Sequence, residues 1–83
     1  MVYRVMGVWQ TGAGLTAQFR EDGTCDVDGE NAYYFVPNIY AIYTGDSPDD
    51  LSYAYEIVSY GTNYLTLRNI KTKTLYRFTR AGE

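Results

Sequence analysis

The chain has 83 residues, of which 46% are hydrophobic and 17% aromatic, and its net charge at pH 7 is −3. This length predicts one domain over residues 1–83, and the apolar content excludes a disordered chain because it is sufficient to form a core. The acidic balance argues against nucleic acid as a partner, since phosphates require a basic surface. No run of apolar residues approaches the ~18 that a membrane helix needs, so we expect no membrane insertion.

The first part of the chain alternates apolar and polar residues with the period of two that is typical of β-strands. We predict strands over Val2–Gln10, Leu15–Arg20 and Thr24–Asp28. The intervening segments, Thr11–Gly14 and Glu21–Gly23, contain the glycines that tight turns need. This part of the chain therefore predicts a run of short hairpins.

The middle of the chain is harder to divide into strands. Residues Ala32–Thr44 carry no charge and are apolar on both faces, and Pro37 marks an edge, a bulge or a break between two short strands. We predict that Thr44–Asp50 forms a loop, or a loop with a short helical turn starting at Ser47, because proline is favoured at the first position of a helix.

Three more strands complete the predicted fold, over Leu51–Tyr60, Tyr64–Ile70 and Thr74–Arg80. Six to eight short strands at regular spacing, with little or no helix, indicate an all-β protein. We predict a small antiparallel up-and-down meander that closes into a barrel.

Two motifs at the ends of the chain resemble a known family. Gly7-Val8-Trp9 lies on the first strand and Arg80 on the last, as in the lipocalin and wider calycin pattern, and the chain resembles a shortened form of that pattern. Four further motifs resemble the hairpins of small lipocalin-like bacterial domains, namely Phe19-x-x-Asp22-Gly23-Thr24, Tyr55-x-Ile57, Leu65-x-Leu67 and Tyr76-x-Phe78-x-Arg80. The resemblance implies that Gly7, Trp9 and Arg80 form a structural motif, in which the basic residue lies across the Trp ring and closes one end of the barrel.

The compartment stays open at this stage. The N-terminus has no charged leader followed by an apolar segment, so we expect no signal peptide in this chain. The family resemblance implies an extracytoplasmic location.

Several catalytic chemistries are excluded by composition. The chain contains no histidine, so it cannot form a Ser-His-Asp or Cys-His site, nor a His-ligated zinc site. Its single cysteine, Cys25, alternates with Val27 on an apolar face and is predicted to be a buried structural thiol. The segment Asp26–Asn31 does not complete a calcium loop, because Phe35 occupies the position that requires glutamate. We predict no enzyme, no cofactor and no metal site.

The charges are unevenly distributed. Nine of the ten acidic residues lie between Glu21 and Glu56, and five of the seven basic residues lie between Arg68 and Arg80. Such asymmetry is typical of solvated faces. The alternative is a contact between the acidic part of one molecule and the basic part of another.

Tyrosine is in excess, with ten residues. We predict that Tyr53, Tyr55 and Tyr76 point inward. With the other inward aromatic residues they should fill the barrel, leaving no ligand-sized cavity; those residues are Trp9, Phe19 and Phe78. We predict that Tyr60 and Tyr64 are exposed.

The candidate contact residues are the tyrosines of the outer surface. The uncharged stretch Asn31–Gly45, which contains Tyr40 and Tyr43, is the largest candidate apolar area. Tyr60 and Tyr64 are the other candidates for contact with a partner or ligand.

The sequence leaves several functions open. Our leading hypothesis is a non-enzymatic interaction module that contacts a protein partner or a copy of itself through exposed tyrosines. One alternative is a carrier of a small apolar ligand in the barrel, as the resemblance implies; a cavity of at least ~300 Å³ with an apolar lining would favour it. Another is a carbohydrate-binding module that uses surface tyrosines. A purely structural domain of a larger protein is the fourth.

Overall fold

Eight β-strands follow one another around a closed barrel in the computed structural model, which describes residues 5–82. The strands are, in chain order, β1 Gly7–Gln10, β2 Thr16–Phe19, β3 Thr24–Val27, β4 Glu30–Asn38, β5 Ala41–Ser47, β6 Asp50–Tyr60, β7 Tyr64–Asn69 and β8 Leu75–Gly82. Each strand pairs antiparallel with the next, and β8 pairs with β1. The predicted all-β up-and-down meander is therefore confirmed.

The first strand is shorter than predicted. It begins at Gly7, whose φ of 121° is a conformation that glycine adopts far more readily than other residues. Val2 and the two residues after it, which we predicted to be strand, lie outside the described residues. Within residues 5–82, no helix is long and apolar enough to cross a membrane.

The core is one cluster of buried side chains inside the barrel. Its largest fully buried side chains are Trp9, Phe19 and Phe78, which are 0%, 1% and 2% exposed. The aliphatic residues Ile42, Leu65, Leu67 and Ile57 pack with them. These side chains alternate along their strands with outward polar residues, so the period of two seen in the sequence fixes which face is buried.

Two bulges in β6 change the direction of tyrosine side chains. Tyr55 pairs with Ile42 and Tyr53 with Tyr43, so Ala54 has no partner on β5. The extra residue places Tyr53 and Tyr55 on opposite faces of the sheet. The prediction that Tyr53 points inward is therefore wrong: its side chain is 43% exposed.

The second bulge lies at Val58. Ile57 pairs with Leu67 and Ser59 with Thr66, so Val58 is skipped in the pairing with β7. The alternation after it is reversed, and Tyr60 turns toward the barrel interior, where it packs against the core. The prediction that Tyr60 is exposed is wrong for this reason.

The predicted loop Thr44–Asp50 is mostly strand. β5 continues to Ser47, which pairs with Asp50 at the start of β6, so Pro48-Asp49 is a tight turn and no helical turn forms. Gly45 permits this close approach, because a Cβ at that position would overlap the carbonyl oxygen of Asp50. Farther back, Pro37 lies where the pairing of β4 with β5 shifts register, so the bulge was the correct alternative there.

Candidate functional site

The closed end of the barrel is held by the Trp9–Arg80 pair. The Cζ atom of Arg80 lies 4.2 Å from the Trp9 ring centroid. Arg80 also donates hydrogen bonds to the Met6 carbonyl at 2.8 Å and to the Thr62 carbonyl at 3.0 Å. The Trp9 indole donates to the Val5 carbonyl at 2.8 Å. The predicted stacking of Arg80 on a buried Trp9 is confirmed. The contacts of Arg80 link β8 to the residue before β1 and to the β6–β7 turn, so they stabilise this end of the barrel.

An exposed row of aromatic side chains crosses the outer face of β4, β5 and β6. Phe35 pairs with Tyr43, and Tyr43 pairs with Tyr53. Phe35 and Tyr53 are 56% and 43% exposed, and Tyr43 is half-buried between them. We call Phe35, Tyr43 and Tyr53 the outer aromatic row. Aromatic residues are enriched in protein interfaces, so such a row on the surface is a candidate contact site.

The row is ordered by ring stacking and borders a groove. The rings of Tyr43 and Tyr53 stack with centroids 5.6 Å apart and an interplanar angle of 23°. Beside the row, a groove of about 350 Å³ is lined by Phe35, Tyr33 and Leu51, among others. The exposed apolar surface therefore extends beyond the row itself.

The closed barrel restricts how a partner can use this face. A sheet without free edges cannot be extended by a strand from another chain. The outer aromatic row contains no charged residue. A partner must therefore contact the outer aromatic row through side chains on the outer face of the sheet.

The four tyrosines predicted as contacts lie in different places. Tyr43 belongs to the outer aromatic row. Tyr40, at 65% exposure, lies in the turn between β4 and β5. Tyr64 is 47% exposed on β7, as predicted for its exposure. Tyr60 is half-buried against the core, so the structure does not bring the four side chains into one surface.

Sequence reasoning missed two members of the row. Phe35 lies in the uncharged stretch that we singled out, so a signal for it was present. Tyr53 had no such signal, because only the bulge at Ala54 turns it outward. The row itself depends on cross-strand register, which one sequence does not specify.

The other end of the barrel is an open mouth. Successive turns of an up-and-down barrel fall at alternate ends, so the β3–β4 and β7–β8 turns lie opposite the Trp9 end. A cavity of about 470 Å³ opens there, which we call the mouth cavity. Its walls include Cys25, Val27, Ala32, Tyr55 and Tyr76, and its rim includes Asp28, Glu30, Asp46, Asn69 and Lys71.

The prediction of a filled interior is wrong at this end. Tyr53 does not point inward, and two of the wall positions carry only the small side chains of Cys25 and Ala32. Tyr55 and Tyr76 are half-buried and line the cavity without filling it. The remaining space exceeds the lower limit of about 300 Å³ for ligand sites.

The walls of the mouth cavity titrate abnormally. Burial, with smaller contributions from Tyr76, Cys25, Glu30 and Asp28, raises the pKa of Tyr55 to about 12. Burial likewise raises the pKa of the Cys25 thiol to about 11. Cys25 is 1% exposed, which confirms the prediction of a buried thiol. At neutral pH both groups are therefore uncharged, and the charge around the cavity comes from the rim.

Comparison of the chain with protein-family models, with curated proteins and with solved structures finds no match. Within residues 5–82, no three cysteine or acidic side chains come together in a way that could hold a metal ion. Among residues 5–82, the outer aromatic row and the mouth cavity are two surfaces whose geometry suits binding.

Proposed function

We propose that the protein is a non-catalytic binding module that contacts a second copy of itself through the outer aromatic row. The observation that carries this proposal is the register of Phe35, Tyr43 and Tyr53, which lines up exposed rings on three neighbouring strands. Burial of exposed aromatic surface against a partner favours binding by about 25 cal/mol per Å² of apolar area.

The orientation of the rings favours protein over carbohydrate. A sugar binds to an aromatic platform by lying flat on a free ring face. Tyr43 and Tyr53 stack on one another with an interplanar angle of 23°, so each ring has one face against its neighbour. Their edges and hydroxyl groups are then the natural contacts, as in protein interfaces.

The charge distribution favours a second copy as the partner. Asp22 lines the groove beside the row. A neighbouring hollow is lined by Asp22, Asp46 and one basic residue, Arg20, so its net charge is negative. On the outer face of β8, exposed Leu75 lies between Lys73 and Arg77 in sequence, and both of these are exposed. One copy thus offers a basic surface with an apolar centre to the acid-flanked aromatic surface of another. The two surfaces differ, so the contact is heterologous.

Sedimentation velocity over a range of protein concentrations tests the proposal. We expect the parent chain to associate reversibly. The double variant Phe35→Ser, Tyr53→Ser should associate at least about tenfold more weakly, because a loss of about 1.4 kcal/mol of binding free energy raises the dissociation constant tenfold. Tyr40→Ser is the control, because Tyr40 is more exposed than Tyr53 but lies in the β4–β5 turn, outside the row and outside β8. It should associate like the parent chain.

A charge-reversal variant tests the orientation. Arg77→Glu should weaken association at low salt and lose its effect at high salt, where surface charges are screened. A parent chain that stays monomeric at about 1 mM, which corresponds to no more than about 4 kcal/mol of binding, would overturn self-association. So would a double variant that associates like the parent chain.

A second candidate function is a carrier for a small molecule, and the mouth cavity favours it. Its volume of about 470 Å³ suits one small ligand. The eight-stranded barrel with an arginine stacked on tryptophan also resembles lipocalin-like domains, and the mouths of β-barrels are common sites for small molecules.

A further inference from the structure

We propose that the mouth cavity binds a small organic cation, such as a quaternary ammonium compound, between the rings of Tyr55 and Tyr76 and the carboxylates of the rim. This inference rests on the second candidate function, and it does not depend on the outer aromatic row. It departs from the apolar ligand that the family resemblance implies.

Two tyrosine rings form the inner walls of the site. Tyr55 and Tyr76 meet at an interplanar angle of 69° with centroids 6.3 Å apart, so they form a corner. Tyr76 also stacks on Phe78 with ring centroids 5.8 Å apart, which fixes its position and covers one of its two faces. A cation within about 6 Å of an aromatic ring face is attracted by the ring quadrupole. The corner thus offers two rings to the same cation.

The rim adds net negative charge. Of the charged side chains that line the cavity, three are carboxylates and one is a cation, Lys71, giving a charge of 1 − 3 = −2. Asp28 and Glu30 lie close enough to contribute to the raised pKa of Tyr55, after burial and nearer groups. Their field therefore reaches into the cavity.

Other ligand classes fit this cavity less well. A fatty acid would bring its own carboxylate toward three others, which costs free energy. A bare metal ion would need several ligands converging on one point, and no such cluster occurs among residues 5–82. A neutral apolar molecule would gain nothing from the rim charges and would desolvate them on entry.

Isothermal titration calorimetry at low salt tests the inference with a matched pair of probes. Choline carries a quaternary ammonium group, and 3,3-dimethyl-1-butanol has the same shape without the charge. We expect choline to bind with one site per chain and the neutral analogue to bind at least about tenfold more weakly, a difference within the range of cation–π and charge interactions.

Variants locate the binding site. Tyr76→Leu, which keeps an apolar wall, and the double variant Asp28→Asn, Glu30→Gln should each weaken choline binding about tenfold. Asp49→Asn is the matched control, since Asp49 lies in the neighbouring β5–β6 turn and does not line the cavity. It should bind choline as the parent chain does.

The possible failures are distinguishable. Tighter binding of the neutral analogue, or of decanoate, would show that the mouth cavity is an apolar site and would overturn the cation inference alone. No binding of any probe would overturn both the cation inference and the carrier function. The double variant Phe35→Ser, Tyr53→Ser should bind choline with the affinity of the parent chain. The choline test therefore does not depend on self-association.

Discussion

The two ends of the barrel are formed by the same eight strands but differ in what fills them. At the closed end, Trp9, Phe19 and Phe78 are at most 2% exposed, and Arg80 covers the indole. At the mouth, small side chains such as Cys25 leave a cavity of about 470 Å³. An eight-stranded barrel is just wide enough for its own large side chains or for one small ligand. In this barrel, large side chains fill the Trp9 end, and the mouth keeps space for a small ligand.

This difference separates stability from binding. Burial of large rings at the closed end stabilises a chain that is too short to form an extensive core. At the mouth the rings of Tyr55 and Tyr76 are only half-buried, so part of their surface is free for a ligand. Substitutions at the closed end should therefore lower the free energy of unfolding, whereas substitutions at the mouth should weaken ligand binding.

The largest expected effect is at the closed end. Trp9→Ala should lower the free energy of unfolding by about 3–5 kcal/mol, because it empties a fully buried aromatic site. Tyr55→Ala at the mouth should cost only about 1–2 kcal/mol, since its ring is half-buried. Urea unfolding followed by circular dichroism measures both. Equal losses would contradict the distinction between the two ends.

Arg80 provides a smaller effect at the same end. Arg80→Met should lower the free energy of unfolding by about 1–3 kcal/mol, through loss of the cation–π contact and of two hydrogen bonds to backbone carbonyls. Arg77→Met is the control, because Arg77 is exposed on the outer face, and it should change stability by no more than about 0.5 kcal/mol. If both variants unfold at the same urea concentration, Arg80 does not hold the closed end.

The third expected effect is a pH dependence of stability. The Cys25 thiol has its pKa raised from 9.0 to about 11 in the folded protein, chiefly by burial. Its contribution to stability is therefore complete below pH 9 and is lost as the pH rises through 11, because the unfolded chain releases the proton first. The tyrosines Tyr34 and Tyr55, raised from 10.0 to about 12, extend the loss to higher pH.

Cys25→Ala should reduce this decline between pH 9 and 11, as measured by urea unfolding at each pH. The thiol of the parent chain should also react slowly with a thiol reagent until the protein unfolds. Rapid reaction in the native state would place Cys25 outside the barrel wall.

The fold could be predicted because it depends on local signals. The alternation from Leu15 to Arg20 and the glycine turns specify strands and hairpins without knowledge of their partners. The Trp9–Arg80 contact was predicted from the family resemblance of Gly7, Trp9 and Arg80, and the structure places Arg80 over the Trp9 ring.

The binding surfaces could not be predicted in the same way. Bulges at Ala54 and Val58 arise from pairing between strands, and they reverse the faces of Tyr53 and Tyr60. The mouth cavity arises because small residues on different strands, Cys25 and Ala32, meet at the same level of the barrel. Register across strands decides both features, and period-two alternation within a strand contains no information about it.

A choline titration followed by nitrogen–proton NMR spectra tests most directly the division of the barrel into a structural end and a binding end. We predict progressive, saturable shifts of the backbone amides of Ala32 and Tyr55 at the mouth. The indole N–H of Trp9, which is hydrogen-bonded to the Val5 carbonyl at the other end, should not shift. Shifts centred on the Trp9 indole, or no shifts at Ala32 and Tyr55, would contradict this division.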